Sequence, residues 1–529
     1  MKNMCLLVCL LVLCSCSVIA QVAVTTYQND NYRSGTNPNE TILTTANVNV
    51  SQFGKKSVFP VQGHVYAQPL YLPNLSIGGT SHNVVFIATE HDQVYAFDVN
   101  SGQQLWHKNF LSGSSPLTVI SSVSSSDVNC GDMVPEIGVT GTPVIDTASN
   151  TIYMVAKTKE YNAQTQVTTF YQTLHALDIT TGQDKVTPHR VNAIARGTGN
   201  GSVGGAIRFD PLIEGQRASL LLLNGQVFVA WASHCDNGNY HGWLMSFNES
   251  TLALNGYFID TPNGYEGGFW GGGSGPAADS GSSIYAGTGN GHFNANSGGT
   301  DYGDSVLRLT WSNSGITLND YFTPWDQQTL DYNDTDLGSG GVVLLPDQPG
   351  AHYPHLLIQV GKEGTIDLIN RDNMGHFHSG NDSQIVQTLP FVIGGIWGGM
   401  AFWNNTAYFG GQYDHLKAFS FDPQAQLLST GPTSQSAEVY TYPGPTPAVS
   451  SNGTSNGIVW MIDAGNYGGG NAVMHAYKAS NLATELYNTT QNSGRDTPGL
   501  AVKFATPTIA DGHVFVGVEN QVVMYGLLN

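Results

Sequence analysis

Residues 84–106 read VVFIATEHDQVYAFDVNSGQQLW. Two stretches of alternating apolar residues flank a polar turn, and an Asp, a Ser-Gly turn and a third stretch ending in Trp106 follow. Such alternation is the mark of strands packed on one face, and the Gly, Asn and Asp between them are turn residues. The pattern recurs eight times between His64 and Asn529, at a spacing of about 40 to 60 residues. One unit of that size cannot bury both faces of its own sheet, so the repetition predicts small antiparallel sheets arranged radially. The expected fold is all-β: an eight-bladed β-propeller of four-stranded antiparallel blades, with seven as the alternative count.

Working outward from that copy, blade one takes 66–106, blade two 140–178, blade three 218–254 and blade four 268–322. Blades five, six and seven take 336–371, 394–421 and 445–477. The last copy, FATPTIADGHVFVGVENQVVMYGLL at 504–528, stops after three strands. Its missing outer strand is expected from 55–61, just ahead of blade one, which would close the ring and remove exposed edges. Residues 53–529 then form one domain. The polar, less regular 21–52 is expected to run over its surface.

Lys2, the Cys/Leu/Val run from Cys5 to Cys14, and Val18-Ile19-Ala20 read as an export signal over 1–20, cleaved after Ala20. Leu13-Cys14-Ser15-Cys16 also loosely resembles a lipid-attachment box. No later stretch has the apolar length of a membrane span. The expected location is therefore extracellular, or periplasmic in a Gram-negative host. Four of the 6 cysteines lie in the signal, leaving Cys130 and Cys235, and two thiols in an exported chain favour one disulfide.

Only 11% of residues are charged, and Gly, Asn, Ser and Thr are abundant, which suits a turn-rich extracellular surface. A net charge of -20 with 19 Lys+Arg argues against nucleic acid and anionic membranes as partners. Ten Asn-x-Ser/Thr sequons, Asn381 among them, would carry glycans in a eukaryotic host.

Between blades four and six the chain carries GGFWGGG with Trp270, AGTGN with Asn290, Asp334-Thr335-Asp336-Leu337-Gly338, GKEGTIDLINR with Lys362, and Gly394-Gly395-Ile396-Trp397. In this order, on this repeat, the motifs resemble the pyrroloquinoline quinone (PQQ) propellers, the family of the quinoprotein alcohol dehydrogenases and of polyvinyl-alcohol-dehydrogenase-like proteins. The resemblance spans nearly the whole chain after the signal. It implies that Trp270 forms the floor on which the flat quinone stacks, with Trp397 at the blade-six entry. It makes Asn290 and Asp336 calcium ligands, since calcium takes oxygen donors. Asp336 is then also the catalytic base, and Lys362 the cation facing the quinone oxygens.

The function implied is a secreted oxidoreductase acting on an alcohol or sugar hydroxyl, with PQQ and calcium on the axis and an external electron acceptor. The alternative is a non-catalytic secreted propeller, a scaffold or matrix protein contacting carbohydrate or extracellular matrix components. Non-catalytic relatives carry the same repeat.

Three departures from the family bear on that choice. A single Cys130, followed by Gly131, stands where the family has two adjacent cysteines; Ile396 replaces an Asn; and the family's Glu calcium ligand has only Asp236 and Asn237 as near matches. Placed by the resemblance near the axis, Cys130 and Cys235 are expected to bridge across it, as a lid or as a plug. There is no Cys-x-x-Cys-His, so no haem c is expected.

Overall fold

A computed structural model describes residues 21–528; the expected export signal lies outside the described residues. Residues 84–106 fall on the strands Thr80–Thr89, Gln93–Asp98 and Gln104–Asn109, which with Leu70–Ile77 form a four-stranded antiparallel sheet in sequence order. Val84, Val85, Phe86 and Ile87 are all buried, because neighbouring sheets cover both faces of the middle strands. On the outer strand only Trp106 is buried, and its indole donates to Ile179 O at 2.7 Å. A Cβ on Gly182 would lie 2.5 Å from that ring, so Gly182 permits the close approach. Trp106, which ends this copy of the pattern, thus fastens sheet one to sheet two.

The remaining strands form further small, mainly antiparallel sheets, and the chain is a β-propeller. The outer strands extend beyond the expected blade limits, at Leu254–Ile259, Gln387–Leu389, Ser434–Tyr440 and Glu485–Asn488. These strands are half exposed, and their apolar residues do not alternate regularly along the sequence. In the second sheet, Thr118–Ser124 pairs with the end of Thr151–Asn162 and leads into the loop that holds Cys130.

Phe53–His64 pairs antiparallel with His513–Leu527, from Phe53 opposite Leu527 to His64 opposite Glu519. Thr508–Ala510 pairs with the other arm of that strand, which turns at a left-handed Asn520 (φ 59). The first and last long strands therefore share one sheet.

Residues 24–37 do not run over the surface as expected. Main-chain bonds join Val24 to Tyr71, Thr25 to Ile145, Asn31 to Ala278, Tyr32 to Leu344, Ser34 to Phe402 and Gly35 to Val449. Side chains of Arg33 and Asn37 donate to Leu220 O and Ile509 O. One short segment thereby reaches the entry strand, or the residue just before it, of eight of the nine sheets among the described residues, which requires those strands to converge. Arg33 is fully buried, and burial lowers its pKa to about 10. It donates to Thr26 Oγ1, Tyr27 O, Pro276 O and Leu220 O, the compensation a buried guanidinium needs. Composition alone reads this segment as polar surface because its hydrogen bonds go to distant backbone.

Candidate functional site

A cavity of about 550 Å³ opens where the loops converge, and it gathers Trp270, Asp336, Lys362 and Trp397 along its wall. Each is placed by a local backbone device. Asp336 precedes the short 3-10 turn Leu337–Ser339, and its carbonyl accepts from Lys362 N at 3.0 Å. Lys362 follows the buried strand Leu356–Val360, so this bond ties the two functional side chains at their main chains.

Trp270 precedes the Gly271–Gly273 turn, in which all three glycines have positive φ. Gly289 explains the AGTGN motif in physical terms. A Cβ there would stand 2.2 Å from Asp336 Oδ1 and 2.5 Å from Trp270 Cδ1. Only glycine lets the tryptophan and the carboxylate close on the same turn.

Lys362 Nζ lies 2.6 Å from Asp336 Oδ2 and 2.6 Å from Asp334 Oδ1. Burial alone would lower the Lys362 pKa, but the Asp336 and Asp334 carboxylates outweigh it and raise it, so the ammonium is held charged. Asn290 is buried beside them. Its backbone N–H donates to Asp336 Oδ1 at 2.8 Å and its Nδ2 to Asp334 Oδ1 at 2.9 Å. Its Oδ1 is buried with no hydrogen-bond partner, an unsatisfied lone pair that a hard cation would satisfy.

Asp236 lines the same cavity and accepts from Tyr240 at 2.6 Å; burial, then Asp336 and Asp334, raise its pKa. Glu266 is pushed up to about 7 by burial and by Asp236, Asp331, Asp336 and Asp334. The field here is strongly acidic. Among the described residues, however, no three His, Cys, Asp or Glu side chains stand together as a ready metal site.

Cys130 and Cys235 are bonded to each other, with Cα atoms 5.6 Å apart, and Cys235 lines the cavity. Cys235 forms part of the wall, and a cavity of about 550 Å³ remains beside the bridge. Ile396 is 1% exposed and packs into a hydrophobic core cluster with Ile358, Met400 and Phe409. Its replacement of a polar residue therefore leaves no apolar group in the cavity wall.

The sequence reading missed Arg217, Lys503 and Asp132. Asp132 Oδ1 accepts from Lys503 at 2.7 Å, and Arg217 lies 3.7 Å from its other oxygen. Burial opposes ionisation of Asp132, but Arg217 and Lys503 outweigh it and hold its carboxyl below the ordinary range. The guanidinium stacks 3.5 Å from the Phe504 ring and donates to Trp397 O at 3.2 Å. One faint signal was present. In a chain with only 19 Lys+Arg, these two cations directly precede blade entry strands.

No protein-family model and no curated protein matches the chain. Solved structures do match. A quinohemoprotein alcohol dehydrogenase from Comamonas testosteroni is 12% identical with a TM-score of 0.61, over 97% of this chain and 81% of that one. A second quinohemoprotein alcohol dehydrogenase, from Pseudomonas putida HK5, is 12% identical with a TM-score of 0.59, over 96% and 80%. A europium-containing methanol dehydrogenase is 11% identical with a TM-score of 0.57, over 96% and 98%. At these identities the likeness is one of fold: the chain shares the β-propeller of the quinohemoprotein alcohol dehydrogenases and of this methanol dehydrogenase.

Proposed function

We propose that this chain is an exported quinoprotein oxidoreductase that oxidises an alcohol or sugar hydroxyl. The observation that carries the reading is the Asp336–Lys362 pair on the wall of an open cavity that Trp270 and Trp397 also line, with Asn290, whose buried Oδ1 is orphaned, bonded to Asp336. The residues fit PQQ and calcium. Trp270 and Trp397 offer flat faces, and Arg217 and Lys503 complement an anionic ligand. Asn290 and Asp336 supply two oxygen donors of the six to eight or so that calcium takes, so further oxygens would have to complete the shell. The quinone would supply a hydride acceptor and calcium a Lewis acid.

The protein's own groups do the rest. Asp336 presents Oδ2 as the acceptor for the proton of a substrate hydroxyl, and the Lys362 ammonium, 2.6 Å from that oxygen, holds the side chain in place. The Cys130–Cys235 bridge fixes the loop that presents Asp132, and through it Arg217 and Lys503.

Eight blades, closed by Phe53–His64, are part of the same proposal, supported by the bonds of residues 24–37 at or just before the entry strands of eight sheets. The expected export signal supports secretion, and among the described residues no helix is long and apolar enough to cross a membrane. A non-catalytic propeller is disfavoured by the open cavity, which the disulfide does not plug. The test is dye-linked oxidation of a panel of alcohols and sugars after reconstitution with PQQ and calcium. Quinone-dependent turnover is expected. Its absence across the panel, with the quinone demonstrably bound, would contradict the enzymatic reading.

A further inference from the structure

The wall of the axial cavity has a second side. Along 334–337 and 361–363 the chain alternates: Asp334, Asp336 and Lys362 face the axial cavity, while Thr335, Leu337, Gly361 and Glu363 line a separate cavity of about 370 Å³. The two share no lining residue. Two rings in the second cavity, Trp325 and Phe391, remain 48% and 70% exposed, so they stand where it meets solvent. Large aromatic faces held in water beside a formed cavity are costly unless a ligand covers them.

The polar lining is unusual in kind. It offers the carboxyl groups of Asp326, Glu363, Asp367 and Asp382 and no lysine or arginine. Two hydroxyl donors of the wall are already engaged: Thr365 Oγ1 donates to Glu363, and Thr388 Oγ1 donates to Asp367 at 3.0 Å. Asn381 Oδ1 accepts from Ser383 N at 3.1 Å. The cavity therefore presents ring faces next to hydrogen-bond acceptors. Its complement is a molecule with apolar C–H faces and several hydroxyl donors, since O–H to carboxylate bonds are short and strong.

We propose that this second cavity binds a neutral saccharide, stacked on Trp325 and Phe391 with its hydroxyls donated to Asp326 and Asp382. Burial raises the pKa of all four carboxyls, and neighbouring carboxylates raise those of Glu363, Asp367 and Asp382 further. The inference stands apart from the quinone reading, because binding here needs none of the axial residues.

The test uses the full chain made without N-glycans, since the Asn381 sequon lines the same cavity. Glucose, maltose and cellobiose are titrated by calorimetry and tryptophan fluorescence, with spermidine as a cationic control and no quinone added. At least one saccharide is expected to bind, and Trp325→Ala and Phe391→Ala are each expected to weaken it by about tenfold, or about 1.4 kcal/mol. Both rings are solvent-facing, so both variants are expected to keep the wild-type melting temperature. The proposal is overturned if no saccharide binds, if neither ring variant weakens binding, or if spermidine binds more tightly than the sugars.

Discussion

Replacing Lys362 by methionine removes the ammonium while keeping most of the side chain's length. The ammonium sits 2.6 Å from Asp336 Oδ2 and 2.6 Å from Asp334 Oδ1, and the Asp336 side chain is 7% exposed against 69% for Asp334. At an effective dielectric of about 20, a pair at that distance attracts by about 6 kcal/mol before desolvation is subtracted. Removing one partner of a buried pair costs about 3–5 kcal/mol, because the other charge stays buried alone. The exposed Asp334 contact adds at most about 1 kcal/mol. Asp336 keeps the N–H of Asn290 as a donor, which places the expected loss near the lower end, about 3 kcal/mol at pH 7. Urea unfolding followed by tryptophan fluorescence measures it. Adding Asp336→Asn to Lys362→Met is expected to recover at least half of the loss, since the stranded charge is then gone. A loss below about 1 kcal/mol, or no recovery in the double variant, would show that Lys362 is an ordinary solvated lysine.

Other consequences can be measured on the same protein. Replacing Cys130 and Cys235 by serine opens a link between residues 105 apart, and the loop-entropy relation gives a loss of about 4–5 kcal/mol in urea unfolding under non-reducing conditions. Asn290→Ala is expected to weaken binding of calcium, read by displacement of terbium luminescence, by about tenfold or more. Glu90 is fully buried and its pKa is raised from 4.5 to about 8, chiefly by burial. The folded state then holds the Glu90 proton more tightly than the unfolded chain, so this group's contribution is complete below pH 4.5. It is lost as pH rises through about 8, an effect of about 5 kcal/mol. Glu90→Gln should flatten that fall. Buried Lys157, lowered to about 7 by burial, acts in the opposite sense and gives rising stability from about pH 7 toward 10.5.

The fold was legible wherever one face of a strand repeats its apolar residues. Residues 84–106 show the period directly, and the Asp336, Lys362 and Trp270 motifs are local enough to read along the chain. The Cys130–Cys235 bridge was legible as well, by the scarcity of cysteine after residue 20 and by the resemblance that places both near the axis. The outer strands were less legible, because Leu254–Ile259 and its equivalents sit half in water and need no alternation.

Arg217, Lys503 and Asp132 were invisible as a group. Lys503 and Asp132 meet across 371 residues of chain, and nothing local to either marks the other. Residues 24–37 failed for a related reason. Gln28 and Arg33 read as surface residues, yet both are fully buried and bonded to main-chain carbonyls that no side-chain pattern reveals.

The central claim is that the axial cavity holds a quinone through these residues. Calorimetric titration of PQQ into the purified protein with calcium, repeated on an Asp336→Ala, Lys362→Ala double variant that retains its fold, tests it most directly. The account predicts calcium-dependent binding at one site in the wild type and its loss in the double variant. Absence of binding by the folded wild type, after any copurified quinone has been removed, would contradict it.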